Sequence, residues 1–119
     1  MRNEAIELTS CNQQRDFIHV EDAINAIQLI ISNIIKFRGN FIEQDLATGN
    51  EVKLKDFINL CHSYLNSKSE LLYGKLQHRK GEIMEIRTDI KKLKDIGWDL
   101  KYDNKSGIQN LITKHKWMT

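Results

Sequence analysis

The chain has 119 residues, with 18 Lys+Arg against 16 Asp+Glu and a formal net charge of +2. Hydrophobic residues make up 40% and charged residues 29%, which suits one domain over 1–119 and excludes wholesale disorder. Near-balanced charge gives no reason to expect a nucleic-acid partner, and two cysteines cannot make a disulfide framework. The apolar run at 27–35 is too short to span a bilayer and the N-terminal stretch has no signal-peptide core, so a cytoplasmic protein without a membrane partner is expected.

Residues 6–9 alternate apolar and polar, which predicts a short strand, and 16–20 read as a second extended piece. Asp22 is placed to cap a helix. Its apolar set is Ile24, Ile27, Ile31, Ile34 and Ile35, with Ala23, Ala26 and Ile30 beside it. So much isoleucine predicts deep burial on one side or against a larger partner. Residues 41–47 read as a strand and Thr48-Gly49-Asn50 as a turn. A second amphipathic helix follows with Leu54, Phe57, Ile58, Cys61, Tyr64 and Leu65 on one stripe. Residues 71–73 form a short strand ended by Gly74, and 75–87 lack a period and read as an ordered loop. Asp89 caps a short helix with Ile90, Leu93 and Ile96, and Gly97 ends it in the left-handed conformation. Asp103 opens a last helix carrying Ile108, Leu111 and Ile112. This order gives an α/β fold, α+β when taken alone, with a few short strands and about four helices. The sheet is thin, and the first helix is more apolar than the chain easily covers.

The residues then resemble something specific. Gln13-Gln14-Arg15-Asp16-Phe17-Ile18-His19-Val20-Glu21-Asp22 is similar to the Q-x-R-D-F-I-H-V-x-D segment of extended short-chain dehydrogenases/reductases, the nucleotide-sugar epimerases, dehydratases and reductases. Asp45-Leu46-Ala47-Thr48-Gly49 sits where that family has N-L-G-x-G, and Arg79-Lys80-Gly81-Glu82 where it has R-x-G-D/E. Asp89, Leu93 and Ile96-Gly97-Trp98 match D-x-x-K-x-x-x-x-L-G-W, and Gly107-Ile108 with Ile112 match the closing helix. Each motif alone is weak, but four in order over about residues 6–116 are a strong signal. The opening Glu7-Leu8-Thr9-Ser10 and Gly81-Glu82-Ile83-Met84 look most like reductases of the CDP-abequose and paratose synthase type.

The resemblance implies the C-terminal, substrate-binding part of such an enzyme, without the N-terminal Rossmann half. It implies that Arg15 and Arg79 lie against the diphosphate of a nucleoside diphosphate sugar and that Glu82 contacts the ribose. The residue types suit those roles. A guanidinium offers forked donors and stays charged, and a carboxylate accepts from paired hydroxyls. The plainer readings are solvated surface arginines and an exposed loop carboxylate. Asp22 as a cap and Trp98 packed over a helix end are the structural readings, against a base and a nucleobase-stacking ring.

The family's chemistry needs NAD or NADP and a proton-transfer pair. The six glycines are at least seven residues apart, so no G-x-x-G-x-x-G loop is present and no cofactor is expected on this chain alone. A literal Tyr-x-x-x-Lys occurs at Tyr64–Lys68, but Tyr64 lies on an apolar stripe and Asn66-Ser67 reads as a helix end, so it is taken as a decoy. The chain is therefore expected to be inactive alone, with no catalytic residue assigned. Cys11 replaces the glycine of T-x-G-x-Q, Lys53 a Ser/Thr cap, and Leu100 the proline of G-W-x-P. Such changes loosen turns and caps by about 0.5–2 kcal/mol each.

Two rival classes stand beside this. The isoleucine helix 23–35 could dock an interaction subunit on a separate chain carrying the Rossmann half, or drive self-association. Lys91, Lys92, Lys94, Lys101, Lys105, Lys114 and Lys116 could form a nucleic-acid surface, but Asp89, Asp95, Asp99 and Asp103 interleave and favour a mixed-charge face. Cys11, Cys61, His19, His62, His78 and His115 show no metal spacing, and core cysteines beside exposed histidines are expected.

Overall fold

A computed structural model of the chain describes residues 4–37, 39 and 41–115, so Lys116 lies outside the described residues. In chain order it has β1 (Ile6–Glu7), β2 (Gln14–Arg15), α1 (Val20–Ser32), a 3-10 turn (Ile34–Phe37), β3 (Val52–Lys53), α2 (Leu54–Tyr64), β4 (Leu71–Leu72), α3 (Lys91–Asp95) and α4 (Asn104–His115).

The strands are two-residue clamps. β1 runs parallel to β4, with Ile6 opposite Leu71. β2 runs antiparallel to β3, with Arg15 opposite Val52. The far edge of β2 is also used, because Gln14 N–H donates to the Met84 carbonyl at 2.7 Å. That bond lays the 75–87 loop along β2. The expected extended piece at 16–20 is displaced, since the strand lies at 14–15 and the helix already starts at Val20. The expected strand at 41–47 does not form. A strand exists only as a paired ladder, and no backbone bond joins 41–47 to another strand among the described residues.

The cap of α1 is His19, not Asp22. His19 is extended, and its Nδ1 accepts from Glu21 N–H at 3.1 Å. Asp22 sits in the first turn with no exposed surface. Its carboxylate accepts from the amides of Lys101 at 2.9 Å and Tyr102 at 3.0 Å. Its carbonyl accepts from Trp98 Nε1 at 3.0 Å. One buried carboxylate thus ties α1 to the connection before α4.

The core is small: Ala26, Leu93 and Trp98, with Ile18, Leu29, Ile30, Ile90, Ile96 and Leu100 packed on it. The packed face of α1 is therefore Ala26, Leu29 and Ile30. Of the two expectations for the isoleucine stripe, burial within the chain is not met: Ile24, Ile27 and Ile31 are 48–65% accessible, and Ile34 and Ile35 just beyond the helix are 60% and 68%, as a face that docks on a larger partner would be. The described chain offers nothing large enough to cover both sides. Its radius of gyration is 17.4 Å, with extents of 51 × 37 × 17 Å. A compact chain of this length would have about 13.5 Å. The accessible surface is 8850 Å², where a compact monomer of this mass would have about 6,700 Å².

Helix ends follow the local chemistry. Gly97 has φ +92°, its N–H donates to Lys94 O and Trp98 N–H donates to Leu93 O, a Schellman end whose flanking contact is Trp98 on Leu93. α2 ends the same way on Asn66 at φ +48°, with Asn66 N–H to Ser63 O and Ser67 N–H to His62 O. Asp103 caps α4 by accepting from Ser106 N–H at 2.7 Å. Asp89 accepts from Lys91 N–H at 2.9 Å, one position outside the formal cap Ile90. Lys53, standing for the usual Ser/Thr, opens α2 with no side-chain cap bond. Cys11, standing for the usual glycine, is buried at φ +53°.

Candidate functional site

Arg79-Lys80-Gly81-Glu82 is a tight turn. Glu82 N–H donates to Arg79 O at 3.1 Å, and Gly81 at the third position has φ +77°. That is the geometry a glycine at this position of a type II turn supplies. The turn returns the chain so that Met84 meets Gln14, and this places Glu82 and Ile83 beside Arg15.

Arg15 is held by its own fork. Nη1 donates to the carbonyls of Gln14 at 2.6 Å and Ile83 at 2.8 Å, while Nη2 reaches Glu82 Oε1 at 3.4 Å. Glu82 takes two closer partners: Gln13 Nε2 on Oε1 at 3.0 Å and His78 Nδ1 on Oε2 at 3.0 Å. His78 Nε2 lies 2.8 Å from Ser10 Oγ. The His78 hydrogen bond, with the charges of His78 and Arg15 and the Gln13 amide, holds the Glu82 carboxyl below its ordinary 4.5. Glu82 is thus an ionised acceptor at neutral pH, faced by a guanidinium.

The structure brings Arg15 and Glu82 together and leaves the Arg79 side chain apart. Arg79 is exposed, and its guanidinium makes no hydrogen bond or ion pair among the described residues. Sequence reasoning missed Gln13, His78 and Ser10. Gln13 carried a signal, being the last residue of the T-x-G-x-Q motif. His78 was weighed only as a metal ligand, and Ser10 had no signal. Asp16 also has a structural task, its carboxylate accepting from Thr48 N–H at 2.8 Å and Gly49 N–H at 2.9 Å.

The other candidates separate cleanly. Tyr64 is the last residue of α2, so Lys68 lies past the helix end and does not share a helical face with it. Trp98 is 3% exposed and belongs to the core. The expectation of exposed histidines is corrected: His19 is buried as a cap, and His62 is half-buried and bonds the Ser69 carbonyl at 2.8 Å. No cluster of His, Cys, Asp and Glu that could hold a metal exists among the described residues. Two of the lysines, Lys101 and Lys114, pair with Glu21, which is pushed down to about 2 by them. A hollow of about 530 Å³ lies elsewhere, lined by Thr48, Asn50, Leu60, Tyr102 and Asp103 among others. None of Arg15, Arg79 and Glu82 lines it, and its only cationic lining residue is Lys105. Its donors therefore suit a diphosphate less well than the β2 site. No helix among the described residues is long and apolar enough to cross a membrane.

The fold defines a class. Over 95% of its length the chain superposes, at TM-score 0.76 and 20% identity, on 35% of GDP-mannoheptose C4 reductase from Campylobacter jejuni, solved with NADP. Over 94% it superposes, at TM-score 0.75 and 21% identity, on 36% of MoeE5, solved with UDP-glucose and NAD. The fold is that of the C-terminal portion of an extended short-chain dehydrogenase/reductase. Among curated proteins the chain is 33% identical over 115 residues to the CDP-abequose synthase of Salmonella typhimurium, covering 95% of this chain and 38% of that one. No protein-family model matches. By sequence and fold together, the chain is similar to the C-terminal part of extended short-chain dehydrogenases/reductases of the NAD-dependent epimerase/dehydratase type. It spans between 32% and 38% of the length of the curated relatives it matches.

Proposed function

We propose that this chain forms the nucleoside-diphosphate-sugar side of an NAD(P)-dependent nucleotide-sugar epimerase, dehydratase or reductase, with a CDP-linked sugar as the first candidate. The observation that carries the reading is the Arg15–Glu82 pair. A ring of donors around one carboxylate beside a backbone-anchored guanidinium matches the two halves of a nucleoside diphosphate. Arg15 keeps Nη1 on two carbonyls and has Nη2 and Nε to offer a phosphate. Arg79, exposed at the turn, adds the second guanidinium. Glu82 accepts from the ribose hydroxyls. The similarity to CDP-abequose synthase supports the choice of base.

NAD or NADP supplies the hydride in the complete enzyme. The residues present do not fit that group: no glycine loop opens a helix, and Tyr64 and Lys68 do not share one. Hydride and proton transfer thus need groups from chain outside these 119 residues, and turnover by the chain alone is not expected. The outer face of α1 is the seat for that cofactor-carrying half. Its exposed isoleucines and the remaining two-thirds of the relatives' length support this. With no such half present, self-association through the same face is the expected outcome.

Calorimetric titration of the chain with CDP, UDP, GDP and dTDP tests the reading. Binding of at least one, lost in Arg15→Ala, is expected. No heat with any of the four at millimolar concentration overturns it.

A further inference from the structure

The Ser10–His78–Glu82 chain has a direction set by chemistry. An ionised carboxylate only accepts. Glu82 is ionised at neutral pH, so His78 Nδ1 carries the hydrogen in that 3.0 Å bond. In the neutral ring Nε2 then accepts, and Ser10 Oγ–H is its donor at 2.8 Å. The order hydroxyl, imidazole, carboxylate is that of an acyl-transfer triad. An acyl-transfer site also needs free donors for an oxyanion, normally including the amide after the nucleophile. Here that amide, Cys11 N–H, already donates to Thr9 Oγ1 at 3.1 Å. The chain therefore positions Glu82 and is not a nucleophile site.

Counting acceptor sites shows what it positions Glu82 for. A carboxylate has about four lone-pair sites. Gln13, Arg15 and His78 use three, two of them on Oε1. One remains, while a ribose diol brings two donors. The longest contact is Arg15 Nη2 at 3.4 Å. A diphosphate that draws Nη2 away frees the second site.

We infer that His78 is a positioning residue of the nucleotide site: it holds Glu82 by Oε2 while Arg15 is exchanged from Glu82 to the diphosphate. This rests on the reading of Arg15 and Glu82 given above. The groups facing His78 are Glu82 from its own loop, Ser10 from the connection after β1, and Arg15 from β2 through Glu82.

Three proteins decide it: the chain as it stands, His78→Asn and His78→Ala, each checked by its amide spectrum for folding. Nitrogen-15 shifts of the unliganded wild-type ring at pH 8 are expected to show the Nδ1–H tautomer; the Nε2–H tautomer overturns the relay. In CDP-glucose titrations at pH 8, His78→Ala is expected to lose affinity about tenfold. His78→Asn, whose amide sits near the Nδ1 position, is expected to restore it by donating to Glu82 in place of the ring. Full affinity in His78→Ala, or no rescue in His78→Asn, overturns the inference while leaving the site intact. Wild type that binds no nucleotide sugar overturns the site reading, and the ring tautomer then decides the relay alone.

Discussion

Arg15 and Glu82 are 67 positions apart in sequence and 3.4 Å apart in space. The pairing follows from backbone geometry: the Gln14–Met84 bond sets the register, and the Arg79–Glu82 turn sets the approach. If this pair is the nucleotide clamp, Arg15→Ala weakens nucleoside-diphosphate binding about 10- to 100-fold, the scale of a charge-assisted contact. Arg15→Lys does not restore it, because an ammonium lacks the planar fork that meets two carbonyls and a phosphate together. Titration of each variant with CDP checks both.

Gly81 carries the turn by its φ of +77°, and a Cβ there would meet nothing within 4 Å. The cost of Gly81→Ala is therefore backbone strain alone, about 1 kcal/mol. Thermal denaturation should show a fall of a few degrees. Nucleotide binding should fall with it, since Glu82 is placed by the same turn. A loss of binding much larger than the loss of stability would show the turn to be a site element as well as a structural one.

Asp22 is the strongest structural position outside the core. Asp22→Ala strands the Lys101 and Tyr102 amides and costs about 2–4 kcal/mol. Asp22→Asn keeps one acceptor and costs about half as much. Urea unfolding of the three proteins measures this. Equal stability of Asp22→Ala and wild type would contradict the tie between α1 and the connection before α4.

Some of this was legible in the sequence and some was not, for physical reasons. Gly97 with Trp98, Asp103 and the end of α2 at Asn66 were readable because caps are local, with every partner within a few residues. Asp22 was misread as a cap because its true partners, two amides 79 and 80 residues on, leave no local signature. The isoleucine stripe of α1 was visible, but periodicity reports an apolar face and not what lies against it. The Ala26, Leu29 and Ile30 side won the core, and the richer side stayed exposed. The strand expected at 41–47 had strand composition and no ladder partner among the described residues. In the site, Arg15 and Glu82 were marked by motif. Their neighbour His78 was not, because its partner Ser10 lies 68 positions away in sequence.

Glu21 gives a pH signature of folding. Lys114 and Lys101, with the Tyr102 hydroxyl, push its carboxyl from 4.5 down to about 2. A lowered folded pKa means the contribution is whole above 4.5 and is lost as pH falls through 2. Thermal midpoints of wild type and Glu21→Gln should therefore differ by a constant amount at pH 6 and above. The gap should narrow below pH 4.5 and close near pH 2. A gap that persists unchanged at pH 2 would contradict the ion-pair assignment.

If these residues form one nucleoside-diphosphate site, an amide and guanidinium NMR titration of the 119-residue chain with a CDP-linked sugar shows it. Shifts are expected to be confined to Arg15, the turn at Arg79 to Glu82, and His78, with the Arg15 Nε signal moving farthest. A dispersed spectrum in which these signals stay still while others move would contradict it.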